Sequence, residues 1–343
     1  MMSPNFSFPV KPFFVLAPMD DVTDTVFRQV ISACAPPDLC FSEFTNVEGL
    51  LNSGRNRLLR KLERHPSEPP LIAHIWGLNP FDFAIIADQI ASGSLADELG
   101  MDTNFKGIDI NMGCPAKDIT RMGACSGLIR NRDLAAAIIA ATKKGARKRL
   151  PISVKTRLGY SDIEPEWTQF LLKQGIDMLS IHLRTVKELS LVEAHFEELT
   201  RIKKERDAIA PDTLLVANGD ITSREQGEKL VEQYGIDGVM IGRGVFQDPF
   251  VFSKDSPWTE LDPNAKLKLF IKHLQLYMQW TDQGDKGISR LNKYAKIYVN
   301  GFDGAKELRI KLATTKTIRQ MLDYVEDCLT QIKKREFVEV KNF

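Results

Sequence analysis

A thiol, a lysine, an imidazole and several guanidinium groups stand directly after short apolar runs in this chain of 343 residues. Cys114 sits in Asn111-Met112-Gly113-Cys114-Pro115, where a Gly-Cys-Pro turn ends an expected strand (Gly107-Ile108-Asp109-Ile110) and leaves the sulfur facing outward. A free thiol with a pKa of about 8.5 is mostly protonated at neutral pH and can donate a proton. A lone cysteine is more often a packing residue, but the ends of the other apolar runs argue for chemistry. They read Pro18-Met19-Asp20, Glu43, His74, Lys155 with Arg157, His182 with Arg184, Asn218-Gly219-Asp220 and Gly242-Arg243. One or two polar strand ends meeting solvent are ordinary. Convergence on nearly every run describes an active-site mouth.

The elements that must position these groups are short. The runs Phe13–Met19, Leu39–Phe44, Leu71–Trp76, Gly107–Asn111, Ile152–Arg157, Met178–Arg184, Leu214–Asn218 and Gly238–Gly242 are flanked by turn residues and read as strands. Between them, Pro80–Ala91, Asp133–Lys144, Pro165–Lys173, Glu193–Arg206 and Ser223–Tyr234 have helical spacing, with Asp133 and Ser223 as expected N-caps. This alternation predicts an α/β chain built on a TIM (β/α)8 barrel, whose active residues belong at the C-terminal ends of the strands. A doubly wound sheet would want a GxGxxG turn after an early strand, and the sequence has none. The length exceeds one core of ordinary size. The barrel is expected over residues 1–255, followed by a small all-α helical bundle over 256–343 in which Ala265–Trp280, Lys306–Lys316 and Thr317–Lys333 have helical spacing.

Composition narrows the setting. A hydrophobic fraction of 43% and a charged fraction of 27% are those of an ordinary globular protein. The five cysteines (Cys34, Cys40, Cys114, Cys125, Cys328) form no CxxC pair, so reduced thiols are expected rather than disulfides or a metal site. No signal-peptide pattern opens the chain and no apolar run approaches the roughly 20 residues that cross a bilayer, so a cytoplasmic protein without membrane contact is expected. The net charge of +1 is uneven: from Asn264 onward there are 16 Lys and Arg against 9 Asp and Glu, leaving 30 against 36 in the remainder. A basic C-terminal module suits a polyanionic partner.

The late motifs suggest what fills the mouth. Asn218-Gly219-Asp220 and Gly238 through Gly244 follow the seventh and eighth runs, where barrels often build a phosphate site. Glycines let backbone N–H groups approach phosphate oxygens, and Arg243 adds a charged fork. A planar cofactor with a phosphate tail suits this layout, FMN foremost, with Lys155 and His182 facing the middle of the barrel. Lys155 as the Schiff-base lysine of an aldolase fits the same residues.

Together these residues carry a resemblance. The chain resembles the bacterial tRNA-dihydrouridine synthases over almost its entire length, through Ala17-Pro18-Met19, Val22-Thr23-Asp24 and Phe27-Arg28; Asn111 through Lys117; Lys155-Thr156-Arg157-Leu158-Gly159; His182-Leu183-Arg184-Thr185; Ala217 through Ile221; and Gly238 through Gly244. The resemblance implies an FMN-bearing barrel and a helical bundle that helps hold tRNA. It implies that NADPH or NADH reduces FMN, that reduced flavin passes a hydride to C6 of a flipped-out uracil, and that Cys114 protonates C5 as general acid. By the same match Asn111 and Arg157 hold the uracil edge, and Lys155 and His182 attend the flavin. Pro18, Met19, Asp20 and His74 line its ring. Asn218, Gly219, Asp220, Gly242 and Arg243 hold the phosphate end, while Lys293, Lys296, Arg309 and Lys316 meet tRNA phosphates. A monomer is expected.

Departures from the family pattern are specific. His74 stands where the family usually has Gln. Cys125 stands where Gly is usual, in Ala124-Cys125-Ser126-Gly127, and a Cβ penalises positive φ. Leu189–Phe196 replaces the family's Tyr-x-Gly-x-Ala-Asp-Trp pattern. Asp38–Phe44 and Gln283–Gly287 lean towards the C-type enzymes that act on uridine 16. Two other readings share parts of this pattern: a small-molecule flavoenzyme of the dihydroorotate-dehydrogenase type, and a catalytically silent RNA-binding protein.

Overall fold

Nine parallel strands lie in one sheet that closes on itself in the computed structural model, which describes residues 8–281 and 288–341. They are β1 (Phe13–Leu16), β2 (Leu39–Phe41), β3 (Thr45–Asn46), β4 (Leu71–Trp76), β5 (Gly107–Met112), β6 (Ile152–Arg157), β7 (Met178–His182), β8 (Leu214–Asn218) and β9 (Gly238–Ile241). Pairing runs from β2 through β1, β9, β8, β7, β6 and β5 to β4, and a β2–β4 pairing completes the ring. The two-residue β3 lies along the same edge of β4 as β2, so the barrel has eight staves, as expected. The stretch Gln283–Gly287, one of two that suggested a C-type enzyme, lies outside the described residues.

The second stave is broken where the sequence suggested an unbroken run to Phe44. Ser42 Oγ accepts the N–H of His74 at 2.9 Å, and Glu43 turns its carboxylate to the N–H of Asp21 at 2.6 Å. The first of these bonds takes the His74 N–H that a continuous strand would have used.

Side chains alternate across each strand. The inward set Phe13, Val15, Leu39, Phe41, Ile72, Met178, Leu214, Val216 and Met240 forms the apolar filling of the barrel. Above it the inward positions turn polar, at His74, Asp109, Asn111, Ser153, Lys155 and Arg157. The pattern of period two therefore builds both the plug and the site on top of it.

Helices begin where short polar side chains cap them. Ser223 caps Arg224–Tyr234 as expected, accepting the N–H of Gln226. For the helix Arg132–Ala146 the cap is Asn131, not Asp133, because Asn131 Oδ1 reaches the N–H of Leu134 at 3.1 Å. That helix packs so closely on Pro80–Ser92 that a Cβ on Gly145 would lie 2.1 Å from the carbonyl oxygen of Ala84. The helix expected over Glu193–Arg206 spans Glu198–Ile209 instead, because His195 and Phe196 still belong to a braced loop.

The chain divides into two compact units, Met1–Gly244 and Val245–Phe343. The second contains the helices Pro263–Trp280, Ile288–Tyr298, Ala305–Thr314 and Ile318–Lys341. Its core is aromatic: Phe270 stacks on Tyr298 at 5.0 Å and His273 on Tyr294 at 4.9 Å. Phe246 stacks on Tyr294 and Trp258 meets Tyr298 edge-on, so the expected boundary at 255 falls inside this unit.

Candidate active site

The polar band at the C-terminal end of the barrel is set by register. Asn111 pairs with Lys155, Arg157 with His182, and His182 with Asn218 across four neighbouring strands. Each of these positions faces inward, with Asn111 beside Lys155 and with Arg157, His182 and Asn218 one inward position further along.

Cys114 leaves the end of β5 on a fixed turn. Asn111 Oδ1 accepts the backbone N–H of both Gly113 and Cys114 at 3.0 Å, and Ser126 Oγ donates to the Cys114 carbonyl at 2.7 Å. The Cys114 thiol is pushed above its ordinary range, chiefly by burial, against the N–H of Ala116 and the charges of Lys155 and Arg157, which favour the thiolate. At neutral pH it is a protonated group with stabilising donors aimed at its deprotonated form. Such a thiol is suited to give up a proton and take it back.

Around it lie several basic side chains, two of which, Arg184 and Arg243, share the carboxylate of Asp220. Lys155 is pushed down to about 8, first by burial and next by the charge of Arg157. Arg157 is lowered to about 10 by burial and by Arg184. His182 is held neutral well below its usual range by burial and by Arg157, Lys155, Arg184 and Arg243. Its Nε2 lies 3.0 Å from Nη1 of Arg184, which can only donate, so Nε2 accepts and the ring proton sits on Nδ1. The site thus offers an ammonium group, an imidazole N–H and guanidinium donors, the donor set for an anionic ligand with acceptor atoms on its edge.

The remaining expected residues take distinct places. Asp220, at φ +50°, binds Arg184, Arg243 (3.0 Å to Nη2) and the N–H of Ala194 (3.1 Å). Gly219 has φ +123°, and a Cβ there would lie 3.1 Å from the His182 ring, so the turn needs glycine both conformationally and sterically. Asn218 turns inward and donates to the Met240 carbonyl at 2.8 Å. Pro18 and Met19 follow β1, where the Met19 N–H is held by Thr23 Oγ1 at 2.9 Å, and Asp20 pairs with Lys61. Gly242 faces Ala17 and Met19 with ordinary clearance, and Arg243 is largely exposed beyond it.

Two expected residues do more than expected. Arg157 donates from Nε to the Gly113 carbonyl (3.0 Å) and from Nη1 to the carbonyls of Thr185 and Leu189 (2.9 and 3.0 Å), which leaves Nη2 for a ligand. His74 is buried, with Nδ1 2.6 Å from Asp109 Oδ2, and Ser153 donates to the other carboxylate oxygen. Asp109 was missed as a site residue. The signal was an acidic residue two positions before Asn111 in an alternating strand, which forces both to the inside. Cys125 keeps the left-handed backbone expected of a glycine, at φ +50°.

A cavity of about 930 Å³ opens at the opposite end of the barrel, lined by Lys148, Pro151, Asp177 and Thr213 ahead of their strands. It contains none of the converging groups.

The family model described as dihydrouridine synthase (Dus) matches residues 15–334. The "Probable tRNA-dihydrouridine synthase 2" of Bacillus subtilis (strain 168) is 46% identical over 322 residues, covering 92% of this chain and 94% of the relative. The "Probable tRNA-dihydrouridine synthase" of Staphylococcus aureus (strain COL) matches to the same extent, 46% over 322 residues. Among solved structures, histamine dehydrogenase from Rhizobium sp. 4-9 superposes with a TM-score of 0.53 at 11% identity, over 77% of this chain and 49% of that one. That likeness is one of fold. No helix among the described residues is long and apolar enough to cross a membrane.

Proposed function

Because the chain belongs to the dihydrouridine synthase family, we propose that it reduces the C5–C6 bond of a uridine in tRNA, using FMN and a nicotinamide dinucleotide. One observation carries the reading: a thiol held protonated by burial, on a turn fixed by Asn111, at the edge of a mouth lined by Lys155 and Arg157. A small-molecule flavoenzyme needs no basic C-terminal unit, whereas here Lys293, Lys296 and Lys316 are exposed on that unit's helices and linkers. Arg309, by contrast, donates to the Val299 carbonyl at 2.6 Å and is half-buried, so it serves the helical unit itself.

The donor set fits FMN. Lys155 and the Nδ1–H of His182 would meet acceptor atoms of the ring, with His74, Pro18, Met19 and Asp20 around it. Asn218, Gly219, Asp220, Gly242 and Arg243 would hold the phosphate end. When bound, and after reduction by NADPH or NADH, FMN supplies the hydride that goes to C6 of uracil.

The chain's own residues do the rest. Nδ2 of Asn111, whose Oδ1 is committed to the turn, and Nη2 of Arg157 hold the uracil edge. Cys114 delivers its proton to C5, so one hydride and one proton saturate the double bond. The thiolate left behind is stabilised by the Ala116 N–H, Lys155 and Arg157 until solvent returns a proton. A base stacked in folded RNA cannot enter such a mouth, so the uridine is extruded. We place the activity in the cytoplasm and in a monomer. The target we propose is uridine 16, on the strength of the Asp38–Phe44 stretch.

Incubation of unmodified tRNA with the protein, FMN and NADPH, followed by nuclease digestion and mass spectrometry, tests this. One pyrimidine, mapping to position 16, should gain the mass of two hydrogens. Unchanged tRNA beside a flavin that is reduced by NADPH would contradict the reading.

A further inference from the structure

Large apolar side chains exposed on the barrel unit are unevenly placed. Among the described residues of that unit, Val10 lies ahead of β1, while Phe81, Met122, Leu189, Leu191 and Val192 all lie after β4, β5 and β7, beside the mouth. Leu191 is 82% exposed and Met122 64%. The loops after β1, β8 and β9 instead carry Asp20, Asp220 and Arg243. The exposed large apolar side chains of the rim are therefore gathered on the loops after β4, β5 and β7.

The apolar tip is displayed on a rigid loop. Arg157 holds the carbonyl of Leu189 at 3.0 Å, and Arg184 holds that of Val192 through Nε and Nη2 at 2.8 and 2.6 Å. Glu188 accepts the N–H of Thr185 at 2.7 Å and meets His195 at 2.9 Å. Leu189 is kept at φ +54°, a conformation that a branched residue adopts only when its surroundings impose it. Two buried arginines thus fix a tip that exposes leucine and valine to water. Preorganised apolar groups of this kind lower the ordering cost of a contact.

Building on the proposed activity, we propose that Leu191 and Val192, with Met122 on the loop after β5, form the surface on which unpaired nucleobases flanking the target uridine rest. The tip is held by Arg157 and Arg184, two arginines of the mouth itself, and extrusion leaves neighbouring bases with exposed faces. Lys117 and Lys187 are exposed beside it, where the phosphates linking those bases would pass. Apolar contact to base faces tolerates any sequence and adds affinity without adding charge.

The test is filter binding of unmodified tRNA across a salt series, for the wild type, Leu191→Ser/Val192→Ser and the milder Leu191→Ala. The double variant should bind about tenfold more weakly, which is about 1.4 kcal/mol and within the range for one lost base contact, and the single one about threefold. The slope of affinity against salt should not change, since no phosphate contact is removed. FMN retention should equal that of the wild type, which checks the fold. Affinity within about twofold of wild type for both variants, or a shallower salt slope, overturns the proposal. So does a change in self-association with tRNA affinity intact. A wild type that binds tRNA without reducing it would fail the proposed activity, while the affinity ratio would still decide this surface.

Discussion

Asn111 holds the loop of Cys114 by its backbone: Oδ1 accepts the N–H of Gly113 and of Cys114, both at 3.0 Å. The side chain therefore has two duties, with its oxygen committed to the turn and its amide nitrogen free for a ligand. Asn111→Ala leaves two backbone donors without a partner and should destabilise the protein by about 1–3 kcal/mol as well as cutting turnover. Asn111→Asp keeps the acceptor, so urea denaturation should show most of that stability restored. Its KM for tRNA should still rise, because the donor is gone.

Lys155 makes cofactor affinity depend on pH. Its ammonium is lowered to about 8 by burial and by Arg157, and an anionic ligand favours the charged form. FMN affinity, followed by quenching of flavin fluorescence, should fall as pH rises through about 8. For folding the sign is opposite. The unfolded lysine keeps its proton up to about 10.4, so in that window the unfolded state binds more protons and this residue's contribution makes the ligand-free protein more stable as pH rises. Lys155→Met should weaken FMN binding and flatten both dependences.

Arg28 and Glu68 form a buried ion pair, with Nε 2.5 Å from Oε2 and neither side chain exposed. Arg28 also donates to the Thr23 carbonyl at 2.6 Å and to that of Glu63, tying the helix Thr25–Cys34 to the segment before β4. Removing one partner strands a buried charge, so Glu68→Leu should cost about 3–5 kcal/mol in chemical denaturation. Arg28→Met/Glu68→Leu should recover a large part of that loss, because no charge is left behind. Flavin binding by folded protein should be unaffected in both.

Gly219→Ala places a Cβ 3.1 Å from the His182 ring, on a backbone at φ +123°. The expected outcome is a loss of about 1–3 kcal/mol of stability. FMN affinity should also weaken, measured on protein below its unfolding transition. Wild-type affinity would mean that His182 does not attend the ligand.

These residues also show what a sequence reveals and what it conceals. The staves were legible because short apolar runs bounded by turn residues recur along the chain, with Asn111, Lys155 and His182 at or near their ends. The break at Ser42 and Glu43 was not, since it depends on His74 and Asp21, far away in the chain. Asn131 displaced Asp133 as a cap because both are good caps and only the backbone decides between them. Arg157 read as a ligand residue by its position. That two of its nitrogens brace Gly113 and Leu189 could emerge only from the folded loops. Asp109 was visible in the pattern but looked like part of a strand, and its meaning came with His74 and Ser153 beside it.

Cys114 is the proton donor of the proposed reaction, and Cys114→Ala tests that role most directly. Positioned acids contribute about 100- to 10,000-fold, so dihydrouridine formation on intact tRNA should fall at least about 100-fold. FMN content and the rate of flavin reduction by NADPH should stay at wild-type values. A variant that makes dihydrouridine at the normal rate would contradict the account.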